Sequence, residues 1–137
     1  MKIIVCGSMT ASREMMTAKV ALEGQGHEVI LPEFTEVYAS LDSEADMHRE
    51  SAENKVQYDL IRGYFTTISE GDAILVVNIE RKGIPGYIGG NTFLEMGFAH
   101  VLNKSIYVLN ELPDMGYLDE MRAMQPIILQ GDYSQIA

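Results

Sequence analysis

Hydrophobic and polar positions form blocks along the chain that predict strands and helices in turn. Short apolar runs rich in Ile and Val are typical of buried parallel strands, and longer segments of helix formers separate them. The helices are predicted at residues 12–23, 48–69, 91–103 and 117–124. Residues 33–47 show little periodicity and are predicted to form a long loop. The strands are predicted at residues 2–6, 27–31, 72–78, 104–110 and 126–129.

This alternation predicts both the fold class and the place where a ligand would bind. It indicates an α/β protein with a three-layer, Rossmann-like or flavodoxin-like, doubly wound parallel sheet of five strands. No repeat or shift in composition divides residues 1–137, so a single domain is expected. In such sheets ligands bind beyond the carboxyl ends of the strands, where the strand order reverses. The loops after the first, third and fourth strands are therefore the candidate binding segments.

Composition narrows the classes of partner. The chain has 20 acidic and 10 basic residues, which gives a formal net charge of −10. No nucleic-acid partner is expected, because each phosphate contact needs a cation. No run approaches the roughly 20 apolar residues of a membrane helix, so no membrane partner is expected either. The single cysteine, Cys6, is expected in the core and is compatible with a reducing cytoplasm.

Metal and cofactor chemistry finds no support in the sequence. The three histidines, His27, His48 and His100, do not have the spacing of metal ligands. We therefore expect a cytoplasmic protein that binds a small molecule and uses neither a metal nor a cofactor.

The first candidate segment follows the first predicted strand, at residues 6–13. Gly7 permits close backbone approach, and Ser8 and Thr10 place hydroxyls beside a helix start, where backbone N–H groups favour an anion. The segment lacks both the Gly-Lys-Ser/Thr signature of a phosphate loop and the G-x-G-x-x-G of a dinucleotide fold. A strand, a turn and a capped helix explain it equally well.

The second candidate segment precedes the third helix, which is predicted to begin at Asn91 or Thr92. Thr92 and Glu95 are three residues apart and match a capping box, which explains both without any ligand. The capping box does not explain the paired glycines Gly89 and Gly90. A ligand site formed by these five residues therefore stays open beside the structural explanation.

Two asparagines extend the candidate site. Asn78 ends the third predicted strand and Asn110 ends the fourth. Since parallel strands end at the same edge of a sheet, both side chains are candidates for contact with a ligand.

Residues 90–99, followed by residues 103–107, resemble the nucleoside 2-deoxyribosyltransferase superfamily, which includes the 2′-deoxynucleoside 5′-monophosphate N-hydrolases. The superfamily pattern there is roughly G-T-x-x-E-x-G-x-A. Residues 6–8 resemble its first loop and residues 72–77 its central strand. The resemblance implies cleavage or exchange of the N-glycosidic bond of a small nucleoside or nucleotide, with Glu95 as nucleophile. It also implies a homodimer or a larger homo-oligomer.

The chain departs from this superfamily around the implied nucleophile. Tyr64 stands where members often carry an aspartate that orients the sugar, and Asp59 on the same predicted helix is the candidate to replace it. Thr10 stands where the monophosphate N-hydrolases use an arginine. Gly89 stands where the transferases have Asp and those hydrolases have Ser. These departures leave two alternatives open: a non-catalytic nucleotide-binding or sensing module, and a structural or assembly role.

Overall fold

The computed structural model describes residues 1–40 and 59–137 and contains a five-stranded, fully parallel sheet. The strands are β1 (Lys2–Cys6), β2 (Glu28–Ile30), β3 (Ala73–Val76), β4 (Ser105–Val108) and β5 (Ile127–Ile128). The strand order is β2-β1-β3-β4-β5, which confirms the predicted doubly wound α/β class.

The strand order reverses between β1 and β3. From β1 the chain moves to β2 on one side, and it then crosses to β3 on the other side. Ile4 is aligned with Ile30 on β2 and with Ile74 on β3. The loops that leave β1 and β3 therefore diverge from neighbouring strands, and this divergence opens a crevice at the carboxyl ends.

Helices cover both faces of the sheet, because alternate residues of the strands are apolar on both sides. On one face Met15 and Leu22 pack with Ile3 and Val5. On the other face Met96 packs with Ile4 and Cys6. The helices are α1 (Ser12–Gly24), α2 (Thr35–Ala39), α3 (Leu60–Glu70), α4 (Gly90–Val101) and α5 (Leu118–Ala123).

Two predicted segments differ from the structure. The stretch predicted as a loop contains the short helix α2, which Thr35 anchors by donating its hydroxyl to the Pro32 carbonyl over 2.6 Å. The helix predicted at residues 48–69 is described only from Leu60 onward, and its first part lies outside the described residues. Helix α2 also packs through the buried Tyr38, and its five residues are too few to show helical periodicity in the sequence.

Several strands are shorter than predicted. β3 covers four residues, and Asp72 before it accepts a hydrogen bond at its carboxylate from the Lys2 backbone N–H over 2.7 Å. β5 has only two residues, although Leu129 continues the ladder with a hydrogen bond to the Val108 carbonyl. In the described ranges, no helix combines the length and apolar character needed to cross a membrane.

Candidate functional site

A cavity of about 540 Å³ opens at the carboxyl ends of the strands, in the predicted crevice. This volume lies in the range of sites that hold a small molecule. Its wall combines the loop after β1, the end of β2, one side of α3 and the start of α4. The described residues that line it are Gly7, Ser8, Met9, Thr10, Ile30, Leu31, Pro32, Glu33, Tyr38, Asp59, Leu60, Gly63, Tyr64, Thr67, Arg81, Lys82, Tyr87, Gly89, Gly90, Asn91, Thr92 and Glu95.

The loop after β1 places two hydroxyls on the cavity wall. Ser8 caps a short 3-10 turn by accepting a hydrogen bond from the Thr10 N–H over 3.3 Å, and the two hydroxyls lie 2.9 Å apart. Gly7 must lack a side chain, since a Cβ there would lie 3.0 Å from the Val77 carbonyl oxygen. All three residues predicted in this loop therefore lie at the cavity, and the two hydroxyls orient each other.

The start of α4 differs from the predicted capping box. The helix begins at Gly90 with Gly89 as its N-cap, and no side chain caps it. Thr92 is therefore the third helical residue and cannot act as an N-cap, so the capping-box interpretation of Thr92 and Glu95 is wrong. Glu95 lies in the second turn and is only 6% exposed, with its side chain at the cavity wall. Burial of a carboxylate is costly and marks Glu95 as the most unusual residue of the site.

Among the described residues, two ionisable side chains lie near Glu95: the buried Cys6 from β1 and the partly buried Tyr64 from α3. The Cys6 thiol donates a long hydrogen bond of 4.0 Å to the Ile4 carbonyl, and the Glu95 carboxylate lies near it. Burial, and then the nearby Glu95 charge, raises the pKa of Cys6 well above its ordinary value. Burial followed by the charges of Cys6 and Glu95 likewise raises the pKa of Tyr64. Both groups therefore stay protonated beside Glu95 at neutral pH.

Tyr64 reaches this position because it satisfies a backbone carbonyl on β1. The Glu28 N–H donates to the Met1 carbonyl, and a parallel ladder repeats every two residues, so the Val5 carbonyl faces position 32. Pro32 has no N–H to give. The Tyr64 hydroxyl donates to the Val5 carbonyl instead. The sequence indicated Tyr64 only as a residue that stands in place of an aspartate. Pro32, just after β2, was the signal that could have predicted its position, because proline cannot donate an N–H to the Val5 carbonyl.

Asp59 is at the cavity, but its carboxylate is shared with another residue. It precedes α3 in the left-handed conformation, with φ of 49°. Its carboxylate forms an ion pair with Arg62 over 2.5 Å, and its side chain is 56% exposed. Asp59 therefore has the predicted location, while its charge is balanced at the surface by Arg62.

Asn78 and Asn110 are not among the residues that line the cavity. Asn78 is 1% exposed, and its amide nitrogen donates to the carbonyls of Gly86, Asn110 and Glu111 over 3.0–3.2 Å. The geometry gives both asparagines a role in holding loops together and does not support the predicted contact with a ligand.

Aromatic side chains form a part of the wall that the sequence did not indicate. Tyr38, from α2, is 1% exposed, and Tyr87 lies on the loop before α4. The Arg81 guanidinium lies over the Tyr87 ring, 5.6 Å from its centre. Together with Tyr64 these rings contribute aromatic surface to the cavity wall. Such a surface suits a planar heterocycle.

No group of three or more potential metal ligands is present in the described parts of the chain. The described site thus combines a buried carboxylate, an uncapped helix start, hydroxyls and aromatic rings. This combination suits a small, planar, polar ligand.

The fold has been seen before in nucleoside- and nucleotide-processing enzymes. The chain is similar to the 2-deoxyribosyltransferase of Bacillus psychrosaccharolyticus, with a TM-score of 0.64 and 12% identity over 99% of this chain and 90% of that one. It is also similar to the CMP N-glycosidase BcmB of Clostridium botulinum, with a TM-score of 0.51 and 16% identity over 93% of this chain and 85% of that one. The chain thus has the nucleoside 2-deoxyribosyltransferase-like fold that the resemblance implied. No family model and no curated protein sequence matches it.

Proposed function

We propose that this protein cleaves or exchanges the N-glycosidic bond of a small nucleoside or nucleotide, with Glu95 as the nucleophile. The observation that carries the proposal is the Glu95 carboxylate, buried at the wall of a ligand-sized cavity and not used in a capping box. The two structures of similar fold come from enzymes that transfer deoxyribose or cleave CMP, which agrees with this chemistry.

The reaction follows from the charge that develops at the sugar. As the bond between base and sugar breaks, its electron pair leaves with the base and the anomeric carbon becomes oxocarbenium-like. A carboxylate oxygen of Glu95 forms a bond to that carbon, which gives a glycosyl-enzyme. Water or a second base then attacks the same carbon and releases the carboxylate. Attack requires the carboxylate oxygen to be about 3–3.5 Å from the anomeric carbon.

The rest of the cavity supplies two different surfaces for the two halves of such a substrate. The base packs between aromatic and apolar side chains such as Tyr38 and Tyr87. The sugar and its 5′ substituent lie against Ser8, Thr10 and the N–H groups at the start of α4. Gly89 has a φ of −77°, and a Cβ added at Gly90 would meet no described atom within 4 Å. The lack of side chains at both positions leaves the N–H groups at the start of α4 accessible.

Base release tests the proposal. A panel of deoxynucleosides, ribonucleosides and their 5′-monophosphates is incubated with the wild type, with Glu95→Gln and with the control Glu33→Gln, which changes an exposed carboxylate on the same wall. We expect release by the wild type and the control, and a loss of at least about 100-fold in Glu95→Gln, because the nucleophile is removed. Mass spectrometry of a quenched reaction should show a glycosyl adduct on the peptide with Glu95. Undiminished release by Glu95→Gln excludes the proposed nucleophile.

A second candidate function is a non-catalytic nucleotide-binding or sensing module. The observation that favours it is the ion pair of Asp59 with Arg62, because the predicted second carboxylate of the site is then partly neutralised. A nucleotide that raises the melting temperature of the wild type without any base release would support this second function. A ligand that binds only the folded state stabilises it by mass action.

A further inference from the structure

Two adjacent basic residues, Arg81 and Lys82, line the cavity on the loop before α4. Among the described residues of the wall, they are the ones that carry positive charge. The chain as a whole has a net charge of −10, so its overall field repels an anionic ligand. The carboxylates of the wall come from other segments, at Glu33, Asp59 and Glu95. A pair of cations at the ligand cavity of such a chain points to a local site for negative charge.

Arg81 and Lys82 belong to a tight two-residue turn. The backbones of Arg81 and Ile84 exchange hydrogen bonds over 3.0 and 3.2 Å, which leaves Lys82 and Gly83 at the tip. Both tip residues have positive φ, of 55° and 76°. Asparagine, aspartate and glycine are the usual residues at the first tip position, because they tolerate this conformation better than lysine does. The turn alone therefore does not explain the lysine, whereas a charge needed at the cavity does.

The turn is held beside the start of α4. The Arg81 guanidinium lies over the Tyr87 ring, 5.6 Å from its centre, and a Cβ at Gly89 would lie 3.4 Å from Cε1 of the same ring. The Tyr87 backbone N–H donates to the Ile79 carbonyl over 3.0 Å, which closes the base of the loop. Contact with an aromatic ring restricts a guanidinium without removing its charge. Arg81 is thus held near the N–H surface that the proposed function assigns to the 5′ substituent.

We propose that the turn at residues 81–84 binds the 5′-phosphate of the substrate, so that the site takes a nucleoside 5′-monophosphate in preference to a free nucleoside. The inference rests on the proposed function, since it names the substrate class of the same site. A phosphate monoester carries about two negative charges at neutral pH. A guanidinium such as that of Arg81 binds two phosphate oxygens at once, and Lys82 adds a point charge on the same turn. A free nucleoside has no charged group to pair with either cation.

Binding of sugar phosphates tests the phosphate site without any base and without turnover. Ribose 5-phosphate and 2-deoxyribose 5-phosphate are titrated into the protein by calorimetry, with ribose and 2-deoxyribose as the uncharged counterparts. The variants are Arg81→Gln, Lys82→Gln and the control Arg122→Gln, which removes the same charge from an exposed position of α5 outside the cavity wall. Lys82 is exposed, so Lys82→Gln keeps the test decisive if Arg81→Gln fails to fold.

The expected affinities follow from the charges that each variant removes. We expect the wild type to bind the sugar phosphates at least about 10-fold more tightly than the sugars. Affinity for the sugar phosphates should fall about 10-fold or more in Arg81→Gln and about threefold in Lys82→Gln. It should stay unchanged in Arg122→Gln. The inference is overturned if the wild type binds sugar phosphates no more tightly than sugars, or if the folded turn variants bind them as well as Arg122→Gln does.

Base release then connects the turn to the choice of substrate. We expect Arg81→Gln to lower kcat/KM about 10-fold or more for 5′-monophosphates and to leave kcat/KM for the matching nucleosides unchanged. A substitution that merely loosens the loop would lower both values equally, and an equal loss overturns the inference. Absence of base release from every substrate overturns the proposed function, and the calorimetry still decides whether the turn binds a phosphate.

Discussion

Asn78 and Asn110 exchange hydrogen bonds across the carboxyl ends of β3 and β4. The Asn110 backbone N–H donates to the Asn78 side-chain oxygen over 2.9 Å, and the Asn110 side-chain amide donates to the Asn78 carbonyl over 2.7 Å. Asn78 also donates to the carbonyls of Gly86 and Glu111 over 3.1 and 3.0 Å. One buried amide therefore ties the loop before α4 to the loop after β4.

Replacement of Asn78 tests this tie. We expect Asn78→Ala to lower the free energy of unfolding by about 2–4 kcal/mol, because buried carbonyl and N–H groups lose their partner. Asn110→Ala removes one side-chain bond and should cost about 1 kcal/mol. Since both residues share the same bonds, the double variant should lose less than the sum, as measured by urea unfolding. Additive losses would show that the two side chains act independently.

Gly86 adopts a conformation and a packing that no other residue fits. Its φ is +66°, and a Cβ there would lie 2.5 Å from the Glu111 carbonyl oxygen. Gly83 provides the control, since its φ is also positive, at +76°, but no described atom lies near its Cβ position. We expect Gly83→Ala to cost about 1 kcal/mol from backbone strain and Gly86→Ala at least about 2 kcal/mol more from the clash. Equal melting temperatures for the two variants would contradict this.

The Tyr64 hydroxyl is expected to contribute to stability through the Val5 carbonyl. Tyr64→Phe should lower the free energy of unfolding by about 1–3 kcal/mol, because it leaves a backbone acceptor without a donor. Tyr107→Phe is the control, because Tyr107 is partly buried on β4 and its hydroxyl has no hydrogen bond within the described residues. A chemical denaturation series in which both variants lose the same stability would exclude the contribution of this bond.

Stability should fall at alkaline pH because of Cys6. Its pKa in the folded state is raised above the ordinary value of 9.0, so the folded protein retains a proton that the unfolded chain releases. The stability is therefore fully present below about pH 9 and is lost as the pH rises further, by about 1.4 kcal/mol per unit. Cys6→Ser does not titrate and should show a shallower loss between pH 9 and 10, in urea unfolding. Parallel curves for both proteins would show that the thiol remains protonated in both states or ionises equally.

Periodicity predicted most of the fold, because five apolar runs separated by helix formers have few alternatives to a parallel sheet. It also predicted that the segment ending at Glu95 would reach the ligand side. The short helix α2 escaped prediction because its five residues are too few to show helical periodicity. The side chains around Glu95 escaped for a different reason. Cys6 and Tyr64 are far apart in sequence, and only the packing of α3 on β1 brings them to the same carboxylate.

Pro32 affects which substitutions position 64 can accept during evolution. The Val5 carbonyl needs one donor, and either a backbone N–H at position 32 or a hydroxyl at position 64 can supply it. We expect the two positions to be exchanged together. A sequence with an ordinary residue in place of Pro32 would release position 64 for another side chain. The proline and the tyrosine would then be inherited together. Whether position 32 can donate an N–H would decide which side chain stands beside Glu95.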